Sequence, residues 1–87
     1  MLEIGKDELK VMNSLVHAET VGTVISETGL QDKVVIDIVR HLHHYRYIKA
    51  VDANGKEMPM FEIDKIKRIL FMLTAKGFSE IEGKKLG

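Results

Sequence analysis

The chain has no cysteine, which removes disulfides, thiolate nucleophiles and cysteine-ligated zinc from consideration. It has no apolar run near the ~20 residues that span a bilayer. Nor does it open with the basic, apolar and small-residue pattern of a secretory leader. No membrane association and a cytoplasmic location are therefore expected. There is one proline, Pro59. There is also no excess of either charge: 13 basic and 13 acidic residues give zero formal net charge, unlike a strongly electrostatic nucleic-acid binder. The signatures of catalysis are missing too, with no phosphate-cradling glycine loop, nucleophile elbow or paired catalytic carboxylates. No enzyme and no cofactor are expected.

What remains is an 87-residue chain that is 45% hydrophobic and 30% charged, a composition that folds rather than staying disordered. One domain over residues 1–87, with a modest core, is the expectation. The charge is unevenly spread. Residues 1–39 carry a balance of −4 and residues 40–87 a balance of +4. A molecule polarised in this way can set its basic half on phosphates, although a solvated surface shows similar asymmetry.

The middle of the chain carries the clearest signal. Gly29 fits the left-handed position that ends a helix, and Leu30 then turns back toward the core. Gln31 or Asp32 can cap the helix that follows. The spacing of Leu9, Met12, Leu15 and Val16 predicts a first helix from Asp7 to Ala18. Thr20 caps a short second helix, Val21 to Thr28, which buries Val21, Val24 and Ile25. Residues 32–45 form the third helix, with Val35, Ile38, Val39 and Leu42 on one face. Tyr47 to Val51 reads as a strand, and Asn54-Gly55 is a strong hairpin turn because both residues tolerate positive φ.

Beyond Glu57 two readings compete. In one, Met58 to Ile63 is a return strand confined to an edge by Pro59, and Asp64 caps a helix that runs through Lys76. In the other, the excursion is longer, Arg68 to Leu73 pairs with residues 47–52, and Thr74 starts a short terminal helix. Met58, Met60 and Met72 read as gap-filling core residues in either case.

Helix, glycine turn, helix and strand form the layout of a helix-turn-helix with a wing. Gly29-Leu30, followed by Val35, Val39, Leu42, Tyr47 and Ile48, resembles the recognition segment of winged-helix proteins. Arg68-Ile69-Leu70-Phe71-Met72-Leu73-Thr74-Ala75-Lys76-Gly77 resembles the wing exit of MarR-like regulators, in which a strand leads into Leu-Thr-x-Lys-Gly. The N-terminal winged-helix domain of archaeal-type phenylalanyl-tRNA synthetase α chains is similar. This resemblance spans about residues 7–80 and favours the longer wing. It implies an α+β fold with three helices, a β-hairpin wing and a C-terminal helix. Arg46 departs from the pattern, standing where the family usually has glycine. Asp32 and Asp37 lie where DNA readers usually carry Ser, Thr, Gln, Arg or Lys.

The resemblance further implies that the third helix enters a major groove of double-stranded DNA and that the wing, 47–73, lies on phosphates. The candidate contacts are Gln31, Lys33, Val34, Asp37, Arg40, His41 and His44 on the helix, with Asn54 and Lys56 on the wing. Gln31 suits adenine, Arg40 suits guanine or a phosphate, and Asp37 can accept from cytosine. The function expected is that of a DNA-binding transcriptional regulator acting as a homodimer, because two-fold operators need two copies. The apolar run Ile69 to Leu73, with Phe78 and Ile81, offers surface for that pairing. Val34 and Ile36 support an alternative, a winged helix that binds a protein partner; a tRNA-contacting accessory domain is a third reading. Asp37, His41 and His44 have the spacing of a metal set, but a solvated helix end favoured by the C-terminal dipole explains them better. No metal is expected.

Overall fold

The computed structural model describes residues 4–86, with side chains described through Gly83. Helix α1, Lys6–Ser14, starts at Gly5, whose N–H donates to Glu8 Oε1 at 3.1 Å. It buries Val11 and Met12 and stops four residues short of the expected Ala18. The cause lies across the sheet. The Leu15 carbonyl accepts from the Leu73 N–H at 2.9 Å, and strand β1, Glu19–Thr20, pairs antiparallel with Phe71 and Leu70. The chain leaves the helix to satisfy a strand far away in sequence. Val16, expected on the buried stripe, is consequently 39% exposed.

Helix α2, Val21–Thr28, begins where Thr20 Oγ1 accepts from the Thr23 N–H and ends at Gly29 with φ 72°. Leu30 is half-buried against the core, as its place after the glycine turn predicted. Helix α3, Asp32–His44, buries Val35, Ile38, Val39 and Leu42, the expected face. Gln31 occupies its N-cap position through its backbone alone, its carbonyl accepting from the Val35 N–H. Leu42 is fully buried, and truncating such a leucine to alanine costs about 2–5 kcal/mol.

Strand β2, Ile48–Val51, lies inside an antiparallel sheet with order β1-β4-β2-β3, where β3 is Glu57–Met58 and β4 is Leu70–Leu73. β2 and β4 pair from Ile48↔Leu73 to Val51↔Leu70, so the longer wing is the one observed. The return strand read as Met58 to Ile63 shrinks to two residues, since Pro59 has no N–H to continue it. The helix read from Asp64 through Lys76 does not form. A 3-10 helix, Ile63–Arg68, takes its place and is anchored by buried Ile66. Of the apolar run thought to serve pairing, Ile69, Phe71, Leu73 and Ile81 are buried in the core; Phe78 is 40% exposed. Met60, expected in the core, is 86% exposed.

Helix α4, Ala75–Leu86, accounts physically for Leu-Thr-x-Lys-Gly. Thr74 Oγ1 accepts from the Gly77 N–H at 3.1 Å and donates to the Arg46 carbonyl at 2.6 Å. The Lys76 ammonium donates to the Tyr45 carbonyl at 2.8 Å and lies 4.4 Å from the centre of the Tyr47 ring. A side chain at Gly77 would put its Cβ 2.2 Å from the Tyr47 carbonyl oxygen. The motif thus docks α4 onto the α3–β2 junction. At that junction Arg46 has φ 66°, a left-handed backbone that favours glycine, which explains the family's usual residue there.

Candidate nucleic-acid interface

Helical periodicity sorts α3 into two sides. Val35, Ile38, Val39 and Leu42 face the core, while Lys33, Asp37, Arg40, His41 and His44 form an exposed stripe along the other side. Gln31 is exposed at the N-terminal end of the stripe. Val34, one of the expected contacts, departs from this stripe, and so does Ile36, its companion in the protein-partner reading. Both are half-buried and pack against the core, because the apolar stripe is wider than four residues. Among the described residues neither Asp37 nor Arg40 is in an ion pair.

The segment after β3 runs beside this stripe. Asp37, Arg40, His41, His43 and His44 on α3 face Pro59, Met60, Phe61 and Ile63 across a shallow cleft of about 520 Å³. Phe61 fixes the far wall. Its ring meets His43 edge-on at 5.0 Å and Phe71 at 5.5 Å, and His43 meets Phe71 at 6.3 Å. Burial in this aromatic cluster holds the His43 imidazole below its usual pKa, with the Glu57 carboxylate pulling the other way and His44 adding to the lowering. At the other end of α3, Lys67 of the 3-10 helix lies 3.4 Å from Asp32, and Lys65 lies 3.7 Å from Glu62. Both pairs are exposed, worth about 0–1 kcal/mol at most, and leave the cations accessible.

Asn54 and Lys56 do not join the cleft. They stand exposed on the β2–β3 turn, where Asp52 Oδ1 accepts from both their backbone N–H groups at 2.9 Å and Gly55 takes φ 82°. These bonds close the turn and leave the Lys56 side chain exposed. The set Asp37, His41 and His44 gathers no metal site: among the described residues no three His, Asp or Glu side chains come together to hold an ion.

Sequence reasoning missed the opposite wall, Pro59 to Ile63, and the basic 3-10 helix with Lys65, Lys67 and Arg68. The run Lys65-Ile66-Lys67-Arg68 was a visible signal for the second; for the first only the isolated Pro59 hinted at an irregular segment.

Among the described residues no helix is long and apolar enough to cross a membrane. No protein-family model and no curated protein matches the chain. Among solved structures it is similar to BpsR of Bordetella bronchiseptica, determined to explain how 6-hydroxynicotinic acid regulates the DNA binding of that protein. The two superpose with a TM-score of 0.70 at 16% identity, over 92% of this chain and 52% of BpsR. The chain thus spans about half the length of that relative in structure. At such identity the likeness concerns architecture, and it agrees with the topology described above: the chain has the α+β winged helix-turn-helix fold that its sequence resembled.

Proposed function

We propose that residues 1–87 act as one winged-helix domain that binds double-stranded DNA as a transcriptional regulator, with no catalytic role. The observation that carries this reading is the open stripe Lys33, Asp37, Arg40, His41 and His44 on the second helix of a helix-turn-helix. A helix so presented fits a major groove about 12 Å wide. Gln31 is the base-reading candidate, Arg40 reaches guanine or a phosphate, Lys33 and Lys56 are the phosphate contacts, and Asn54 is a polar contact beside Lys56. The wing supplies further cations in Lys65, Lys67 and Arg68, of which Lys67 lies beside Asp32 at the N-terminus of α3. DNA binding by BpsR is consistent with this use of the fold. Val34 and Ile36, on which the protein-binding alternative leans, are half-buried against the core and so offer a partner limited surface. Two copies would occupy a two-fold site, in the cytoplasm.

Fluorescence anisotropy with a labelled random duplex, titrated against salt, tests the proposal. Each neutralised phosphate contributes about −0.9 to the slope of log affinity against log salt. Arg40→Ala and Lys56→Ala should each weaken binding and flatten the slope by about one unit. Asp37→Asn should strengthen binding modestly by removing a charge that repels the backbone. Absence of salt-dependent binding by the unaltered protein at low ionic strength rejects the proposal.

A further inference from the structure

One wall of the α3 cleft is apolar, and phosphate or hydrogen-bond contacts give it no role. Among the described residues, four large apolar side chains stand exposed: Val16, Met60, Ile63 and Phe78. Two of these, Met60 at 86% and Ile63 at 48%, line the same cleft as Arg40, His41 and His44. Their placement is built in. Phe61, between them in sequence, is pinned edge-on against His43 and Phe71, so the segment is held against α3. Buried Ile66 anchors the 3-10 helix that begins at Ile63.

The cleft therefore presents three chemistries side by side. Arg40 offers hydrogen-bond donors, Asp37 offers acceptors, and Met60 and Ile63 offer apolar surface. The edges of base pairs in a major groove present the matching three: guanine O6 and N7 accept, cytosine N4 donates, and the thymine C5-methyl is the apolar group. Charges of both signs flank the apolar pair. Arg40 lies across the cleft and Lys65, Lys67 and Arg68 follow Ile63; against them stand Asp37 on α3, Asp64 in the 3-10 helix, Glu62, which pairs with Lys65 at 3.7 Å, and Asp32, which pairs with Lys67 at 3.4 Å. Among the described residues Arg40 is in no ion pair, so the cleft keeps one cation beside the apolar pair that is not already engaged.

We propose that Met60 and Ile63 read thymine C5-methyl groups in the groove that receives α3, and so set sequence preference. This rests on the DNA-binding reading of α3 above. It adds two residues that lie outside the recognition helix, and it commits them to one chemical group.

The test compares duplexes that differ only in that group. A duplex selected by the full chain from a random pool is remade with deoxyuridine in place of thymidine, which deletes methyls and preserves pairing and charge. The unaltered protein should lose about fourfold in affinity for each contacted methyl, the value of one buried methylene. Met60→Ala and Ile63→Ala alter exposed side chains, so their melting temperatures should stay near that of the unaltered protein. They should bind the thymine and uracil duplexes more nearly equally while keeping the salt slope. Salt-dependent binding with equal affinity for the two duplexes overturns the proposal and leaves DNA binding standing. Full discrimination retained by both variants overturns the assignment to Met60 and Ile63. No salt-dependent binding to either duplex overturns the DNA reading itself, and this inference with it.

Discussion

Gly77→Ala is the sharpest perturbation of the way α4 is attached. The added Cβ would lie 2.2 Å from the Tyr47 carbonyl oxygen and 3.0 Å from Leu73 Cδ2. The first neighbour is backbone, at the junction where α3 meets β2, so relief requires the start of α4 to move by about 1 Å. That movement strains the bonds from the Thr74 N–H to Tyr47 at 3.0 Å and from Lys76 to Tyr45 at 2.8 Å. Overpacking of this kind costs about 1–3 kcal/mol, and each weakened hydrogen bond about 0.5–1.5 kcal/mol. Alanine returns about 1 kcal/mol of helix propensity. The net expectation is a loss of about 2 kcal/mol, or a melting temperature lower by about 8–16 °C for a chain of this size. Gly83→Ala in the same helix is the control, because its Cβ meets nothing within 4 Å. There the propensity gain should stand alone and raise stability by up to about 1 kcal/mol. Thermal denaturation followed by circular dichroism measures both. If Gly77→Ala proves as stable as Gly83→Ala, the docking account of Leu-Thr-x-Lys-Gly is wrong.

Arg46→Gly should stabilise the fold by about 1 kcal/mol, because it relieves a left-handed non-glycine backbone at φ 66°; an unchanged or lower denaturation midpoint would contradict the strain. His43 titrates below its usual value because it is half-buried against Phe61 and Phe71, so the folded chain binds fewer protons there than the unfolded chain. Stability should therefore decline as pH falls below about 6.5, the ordinary imidazole value. His43→Phe should remove part of that decline, and urea midpoints that fall equally in both proteins would refute the assignment. Sedimentation should find a dimer at high micromolar concentration; a monomer there would remove the two-copy model.

The parts of the fold that follow from local rules were legible in the residues. Gly29 ends α2, Thr20 caps it, and the spacing of Val35, Ile38, Val39 and Leu42 sets the phase of α3. What misled were residues whose state depends on distant partners. Residues 15–18 continue a helical pattern, yet Leu15 accepts from Leu73 and β1 must reach β4. Ile69 to Leu73 looked like surplus apolar surface, yet Leu70 to Leu73 is one of the two inner strands of the sheet, and Ile69, Phe71 and Leu73 are buried in the core. The site divided the same way. The exposed stripe of α3 came from periodicity. The Met60–Phe61–Ile63 wall did not, because no repeat marks an irregular segment and only the packing of Phe61 on His43 places it there.

The most direct test of the central claim is amide chemical-shift mapping of the labelled protein with a duplex at low salt. Shifts concentrated at Gln31, Lys33, Asp37, Arg40, His41 and His44, with a second group at Asn54 to Lys56, are what a groove-bound α3 and a phosphate-bound wing require. Shifts centred on α1 and α4, with the exposed face of α3 unmoved, would contradict the account.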